Sequence, residues 1–356
     1  MHYFTPGPSA LYFTAEDHIK TALKEQIPSI SHRSKKFKSI YQHTSEHLRQ
    51  LLNLPEGYHI LFTGSATEIW ERLIQNCVEK QSYHLTNGAF SDKFHSMAIA
   101  WGKDAQQLAS EPGSCPDINK MNVAGGCELI SVTQNETSTG AAQPLEDIYT
   151  IRKRFPEQLL AIDVVSTSPY LDLDFAQVDT AYFSVQKCFG MPAGLGVWIA
   201  NERCVEKAIK IQEKGGIIGQ YHSLPSLVSQ AKQFQTPETP NVLNIYLLGK
   251  IAEDMLFRGI ENIRKETEYK AALLYNTVEK HAGFEPFVKE KAYQSKTVVV
   301  AETQEPADKV IAFLAEKNLQ VGSGYGQFKN KHIRIANFPA HSKEQIETLV
   351  DAISAM

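Results

Sequence analysis

Asp163, in the run AIDVVSTSPY, and Lys187, in AYFSVQKCFGMPAGLGVW, are the two residues whose types and spacing most constrain the chemistry. Each ends an apolar run, and about two dozen residues separate them. A carboxylate can hold a heteroaromatic nitrogen protonated, and an amine can condense with an aldehyde; an electron-sink cofactor requires both functions. Brought into one cleft, the pair predicts carbanion chemistry on amines. The plainer reading is an Asp that caps the next element and a solvated surface Lys.

Other loops add to the pair. After YHILF comes TGSATEIWERL, where small residues open an amphipathic helix. Its free N–H groups and positive end suit a phosphate, although Ser and Thr also start helices simply as N-caps. Neither the GxxxxGK nor the GxGxxG spacing is present. In NGAFSDKF, Phe90 sits where a flat ring can stack on a planar ligand or merely join the core. QNETSTG is too polar for a core strand and is read as a turn or a cluster of ligand-binding groups. RSKKFK, Arg33 to Lys38, is read as a solvated helix start or an anion site.

The elements that must position these residues follow from the alternation of apolar runs. YHILFT, SYHLT, ELISVTQ, LLAIDVV, TAYFSV and LGVWIA are short and β-rich, and helical patterns separate most of them. That pattern predicts an α/β fold with a mostly parallel sheet between helices, its ligands bound beyond the carboxyl ends of the strands. At 356 residues the chain exceeds one core. The expected organisation is an N-terminal arm at 1–15, a large domain at 16–240, a long linking helix at 241–280 with Gly249 and Gly259 as bends, and a small α+β domain at 281–356.

Composition excludes other classes. A net charge of −4 with interspersed signs gives no basic stripe for nucleic acid. Cys77, Cys115, Cys127, Cys188 and Cys204 form no CxxC pair, so neither a metal site nor a disulfide framework is expected. No run of ~18 apolar residues predicts a membrane span, and a cytoplasmic protein with reduced thiols is expected.

The chain resembles the fold-type I pyridoxal-phosphate enzymes of class V, and within them the phosphoserine aminotransferase family. TPGPSAL, SISHRSKKF, GSAT, NGAFS, QNETSTG, AIDVVSTS, SVQKCFGMPAGLG, QTPETPN and HIRIANF occur in the family's order, nearly end to end. The resemblance implies a seven-stranded sheet, pyridoxal 5′-phosphate as cofactor and a homodimer with shared sites. It makes Lys187 the Schiff-base lysine and proton carrier and Asp163 the partner of the ring nitrogen. Phe90 stands where the family has a stacking Trp, and Thr137 would bind the ring hydroxyl. Ala66, Thr67 and Gln186 would hold the phosphate, joined by Gln235 and Thr236 from the neighbouring subunit, where the family has an Asn-Thr pair.

For substrate, the resemblance assigns Arg334 to the α-carboxylate and His32 and Arg33 to the phosphate of phosphoserine. The family's further His-Arg pair is missing, replaced by SGYGQFKNK; Lys329, Lys331 and His332 are the candidates to substitute for it. The expected function is transamination between an amino acid and a 2-oxo acid, of phosphoserine with 2-oxoglutarate or of a smaller amino acid such as alanine or serine. A desulfurase would need a late nucleophilic cysteine, and none follows Cys204. A non-catalytic binding protein would have no need of both Lys187 and Asp163.

Overall fold

The computed structural model describes residues 1–356. In chain order, β1 is His2–Phe4, α1 Ala15–Lys24, α2 Lys35–Leu51, β2 Tyr58–Thr63 and α3 Ala66–Cys77. There follow β3 (Gln81–Thr86), α4 (Ala89–Ala100), β4 (Asp104–Ala109), β5 (Cys127–Thr133) and a two-stranded hairpin of β6 (Asn135–Glu136) and β7 (Ala141–Ala142). Next are α5 (Leu145–Arg154), β8 (Leu159–Asp163), β9 (Thr180–Ser184), β10 (Gly196–Asn201), α6 (Glu202–Glu213) and α7 (Leu224–Ala231). The chain closes with α8 (Val242–Arg258), α9 (Ile260–Lys280), β11 (Phe284–Pro286), β12 (Val298–Thr303), α10 (Ala307–Glu316), β13 (Leu319–Ser323), β14 (His332–Ala336) and α11 (Lys343–Ser354).

Seven strands form the large sheet in the order β2-β10-β9-β8-β5-β3-β4. Only β10 runs against its neighbours. The apolar runs are continuous because both faces are covered: Ile60 and Phe62 of β2 join one core, Leu61 the other. The expected seven-stranded, mostly parallel sheet is therefore present. A second sheet, β1-β13-β14-β12-β11, carries its own core against α9, α10 and α11. Its edge strand β1 comes from the far N-terminus and pairs parallel to β13.

Three features differ from the sequence reading. The expected single helix at 241–280 is two, because Gly259 adopts φ 84° and ends α8. Gly249 does not bend α8; it lets α2 approach, since a Cβ there would lie 2.5 Å from Thr44 Oγ1 and 3.2 Å from Thr44 Cα. The polar edge strand β4 and the short β13 carry too little apolar pattern to be read in advance. No helix is long and apolar enough to cross a membrane.

Gly249→Ala should therefore destabilise the protein by about 1–3 kcal/mol, although alanine favours helix by about 1 kcal/mol. Urea unfolding checks this; a stabilised variant would mean that α2 and α8 are free to part.

Candidate active site

The carboxyl ends of β5, β8 and β9 and the turn after β2 converge on one cleft of ≈ 420 Å³. Ala66, Thr67, Phe90, Thr137, Asp163, Gln186 and Lys187 all line it. Trp70, Thr133, Asn135, Val165 and Ser184 line it as well, and the sequence had not singled them out as ligands.

The turn between β2 and α3 is built for close approach. Ser65 caps α3 by accepting the Glu68 N–H, and Ala66 N–H donates to Ser184 Oγ at 2.8 Å. Gly196 of β10 passes directly beneath, where a Cβ would meet Ser65 backbone at 2.5 Å. The result is a helix N-terminus held open toward the cleft, with Thr67 in its first turn.

Asp163 ends β8 only 4 % exposed. Its Oδ2 accepts the Trp70 indole N–H at 3.2 Å and its Oδ1 accepts the Val165 N–H at 2.9 Å. Burial outweighs these bonds and pushes its pKa up to about 6. Lys187, 7 % exposed, donates from Nζ to Thr137 Oγ1 at 2.8 Å and lies 5.1 Å above the Phe90 ring. Burial lowers its pKa to about 8 against the opposing pull of Asp163. The Gly7 backbone, at φ 121°, covers the lysine stem: a Cβ there would fall 2.8 Å from Lys187 Cε. Ser9 N–H then bonds Gln186 O at 3.2 Å. The N-terminal TPGPSAL segment thus shields the lysine, a role its Gly-Pro spelling alone does not disclose.

QNETSTG forms a hairpin turn, and the turn is buried. Glu136, 0 % exposed, accepts the N–H groups of Phe90 (3.2 Å) and Ser91 (2.9 Å) with one oxygen. Its other oxygen accepts the Ser138 N–H and hydroxyl at 3.0 and 2.7 Å. A carboxylate on the N-terminus of α4 fixes Phe90 over the cleft.

Arg334, on β14, donates from Nε to Ser323 O at 2.7 Å and from Nη1 to Thr137 O at 3.3 Å. Its guanidinium lies 5.5 Å from the Tyr325 ring, which packs 5.3 Å from Phe90. Arg334 therefore stands beside the residue that holds Lys187. The proposed substitutes for the missing His-Arg pair do not join it. His332 is turned inward, 1 % exposed, stacked on Phe328 and packed against the tilted Phe287 ring, while Lys329 and Lys331 are exposed.

His32, Arg33, Gln235 and Thr236 form a separate cluster and do not line this cleft. Arg33 donates to Gln235 Oε1 at 2.9 Å, Gln230 Oε1 at 3.0 Å and Pro237 O at 3.2 Å. His32 Nδ1 lies 3.3 Å from Thr239 Oγ1, and Thr236 bonds Glu238 O at 2.7 Å.

The residues present fit pyridoxal phosphate. A buried carboxylate without a cationic contact suits a protonated ring nitrogen, and the open helix N-terminus suits a phosphate. Asn135 Oδ1 is a buried acceptor without a protein partner, facing the same space.

The Aminotransferase class-V family model matches residues 14–348. A crystal structure of a phosphoserine aminotransferase from Cytophaga hutchinsonii is 47% identical, covering 99% of this chain and 98% of that one, with a TM-score of 0.98. The phosphoserine aminotransferase of Corynebacterium glutamicum is 30% identical over 91% of this chain and 86% of its own. An aspartate aminotransferase from Thermus thermophilus shares the fold, with a TM-score of 0.85 at 22% identity over 100% of this chain and 98% of that one. The chain belongs to the class V aminotransferases and is a pyridoxal-phosphate-dependent transaminase.

Proposed function

We propose that this enzyme transfers the amino group of phosphoserine to 2-oxoglutarate, as in serine biosynthesis, with Lys187 and Asp163 as its catalytic residues. The observation that carries the reading is the 47% identity, over nearly all of both chains, to a protein described as a phosphoserine aminotransferase. Asp163 would pair with the ring nitrogen, Phe90 stack on the ring, Thr137 meet the ring hydroxyl, and Ala66, Thr67 and Gln186 hold the phosphate. The bound cofactor supplies an aldehyde carbon and an electron-accepting ring that stabilises negative charge at the substrate α-carbon.

The protein's part is positioning and proton transfer. A pKa of about 8 leaves roughly a tenth of Lys187 neutral at pH 7, far more than an exposed lysine offers. That amine can take a proton from the substrate α-carbon and return it, while Thr137 and the Phe90 ring limit where it points. Arg334 Nη2 has no protein hydrogen bond, and its edge is available for a two-pronged pair with the α-carboxylate.

A homodimer with shared sites is supported by the location of Gln235, Thr236, His32 and Arg33 away from their own cleft, where a second copy could use them. Exposed Phe13, Phe257, Ile217 and Tyr221 supply apolar surface for such a contact. A cytoplasmic location is supported by five buried cysteines, all free.

Lys187→Ala should still bind the cofactor yet lose about 10³-fold or more of the half-reaction rate, read by single-turnover absorption. Normal turnover would overturn the assignment. Because the folded pKa of Asp163 is raised, its contribution to the cofactor-free protein is most favourable below about pH 4 and is lost as pH rises through about 6. Asp163→Asn should remove that slope while slowing the half-reaction. A variant unfolding with the wild-type pH profile would show that the carboxylate is not penalised. In a half-reaction screen, phosphoserine and glutamate should outpace alanine and serine by at least about tenfold in kcat/KM. Indifference to phosphoserine would move the enzyme to the class V transaminases of smaller amino acids.

A further inference from the structure

His222 is among the buried ionisable residues that the chemistry above does not use. His222, 6 % exposed at its side chain, lies just before α7 between two carboxylates from different parts of the chain. Its Nδ1 hydrogen-bonds Glu68 Oε1, and its Nε2 lies 3.1 Å from Glu238 Oε2, off the line of an ideal hydrogen bond. Burial opposes charge on the ring, but the Glu238 and Glu68 carboxylates outweigh it and push the pKa up to about 9, so the imidazolium form persists at neutral pH.

Each carboxylate is tied to a part of the phosphate site. Glu68 follows Thr67 directly, and its other oxygen accepts the Gly64 N–H at 2.8 Å, closing the turn that presents Ala66 and Thr67. Glu238 belongs to the segment whose backbone accepts the Thr236 hydroxyl at 2.7 Å and whose Gln235 is held by Arg33. His222 therefore links the start of α3 to the segment carrying Gln235 and Thr236.

We propose that His222 is a positioning residue for the cofactor phosphate, an ionic bridge that fixes the Gly64–Thr67 turn against the 235–239 segment. It rests on the reading that Ala66 and Thr67 hold that phosphate. In a homodimer of the kind proposed above, the same bridge would join one copy's phosphate cradle to the segment serving its neighbour. Two anions and one cation in a partly buried place leave the bridge anionic, and the nearby Arg72 on α3 offsets this.

The test compares pyridoxal phosphate with pyridoxal, which lacks the phosphate, binding to the cofactor-free protein by absorption and fluorescence titration. Wild type should prefer pyridoxal phosphate. His222→Gln should weaken pyridoxal phosphate roughly tenfold while changing pyridoxal by less than about twofold, because only the phosphate contacts lose their support. Equal weakening of both ligands, as a general loss of structure would give, overturns the proposal, and so does no weakening of either. Glu238→Ala, at a partly exposed carboxylate, breaks the same bridge from its solvent side and is read in the same way if His222→Gln folds poorly. A wild type that binds both ligands equally would instead overturn the cradle at Ala66 and Thr67, and the bridge's role with it.

Discussion

The rest of the site is arranged around the burial of two opposite charges that do not touch. Asp163 and Lys187 end adjacent stretches of the sheet in the same cleft, and each is bonded to something else: the carboxylate to Trp70 and the Val165 amide, the amine to Thr137. Direct pairing would satisfy both charges and leave neither for a ligand. Held apart, each keeps a pKa displaced toward neutrality; a ligand's cationic nitrogen can relieve the buried carboxylate, and a ligand's aldehyde can take up the neutral amine. The cofactor-free cleft is thus strained electrostatically in the sense that favours binding.

Keeping them apart requires a polar scaffold that is itself bonded at most of its groups, Gln134 Oε1 and Asn135 Oδ1 being the unpaired acceptors. Glu136 supplies most of it, accepting five hydrogen bonds from Phe90, Ser91 and Ser138 without any exposure to water. Thr137 follows directly and turns its hydroxyl to Lys187 and its carbonyl to Arg334. Within the hairpin, Asn135 donates to Ser166 at 2.7 Å, tying it to the loop after Asp163. A half-satisfied cluster here would be worse than an apolar one, which is why a segment this polar can be buried.

The fold was legible in the sequence because apolar runs long enough to be covered on both faces leave one architecture, and the loops after such strands are where ligands bind. Asp163, Lys187, Thr137 and the Ala66–Thr67 turn were found on that argument together with the resemblance, and the structure brings them to one cleft. What escaped depends on contacts distant in sequence. Glu136 reads as a turn residue until α4 is docked onto it, and Trp70 reads as core until Asp163 is placed beside its indole. His332 alternates correctly with Arg334 along β14, yet it is Phe287 and Phe328 that decide its burial. Gly249 marks a bend by type, but the approach of α2 gives it a different role.

Arg334 and Tyr325 lie in a different part of the fold from this machinery and yet touch it. The buried pair, the α3 turn and the polar hairpin lie within the large sheet and its loops, and they determine that an amine is transferred. Arg334 and Tyr325 come from the small sheet and the segment after β13, meeting the first group only through Thr137 and Phe90. The contact chain Arg334–Tyr325–Phe90–Lys187 couples recognition to reactivity. A side chain that shifts Tyr325 would move the Arg334 guanidinium and the ring beneath the lysine together. An aspartate aminotransferase has the same fold, so the fold by itself does not select the substrate. The SGYGQF segment packs by its aromatic rings, Tyr325 on Phe90 and Phe328 on Phe287, and Lys329 and Lys331 after it are exposed. Arg33, just before α2, is the cationic group fixed to the segment that carries Gln235, while burial and Arg33 itself hold the neighbouring His32 imidazole below its ordinary pKa.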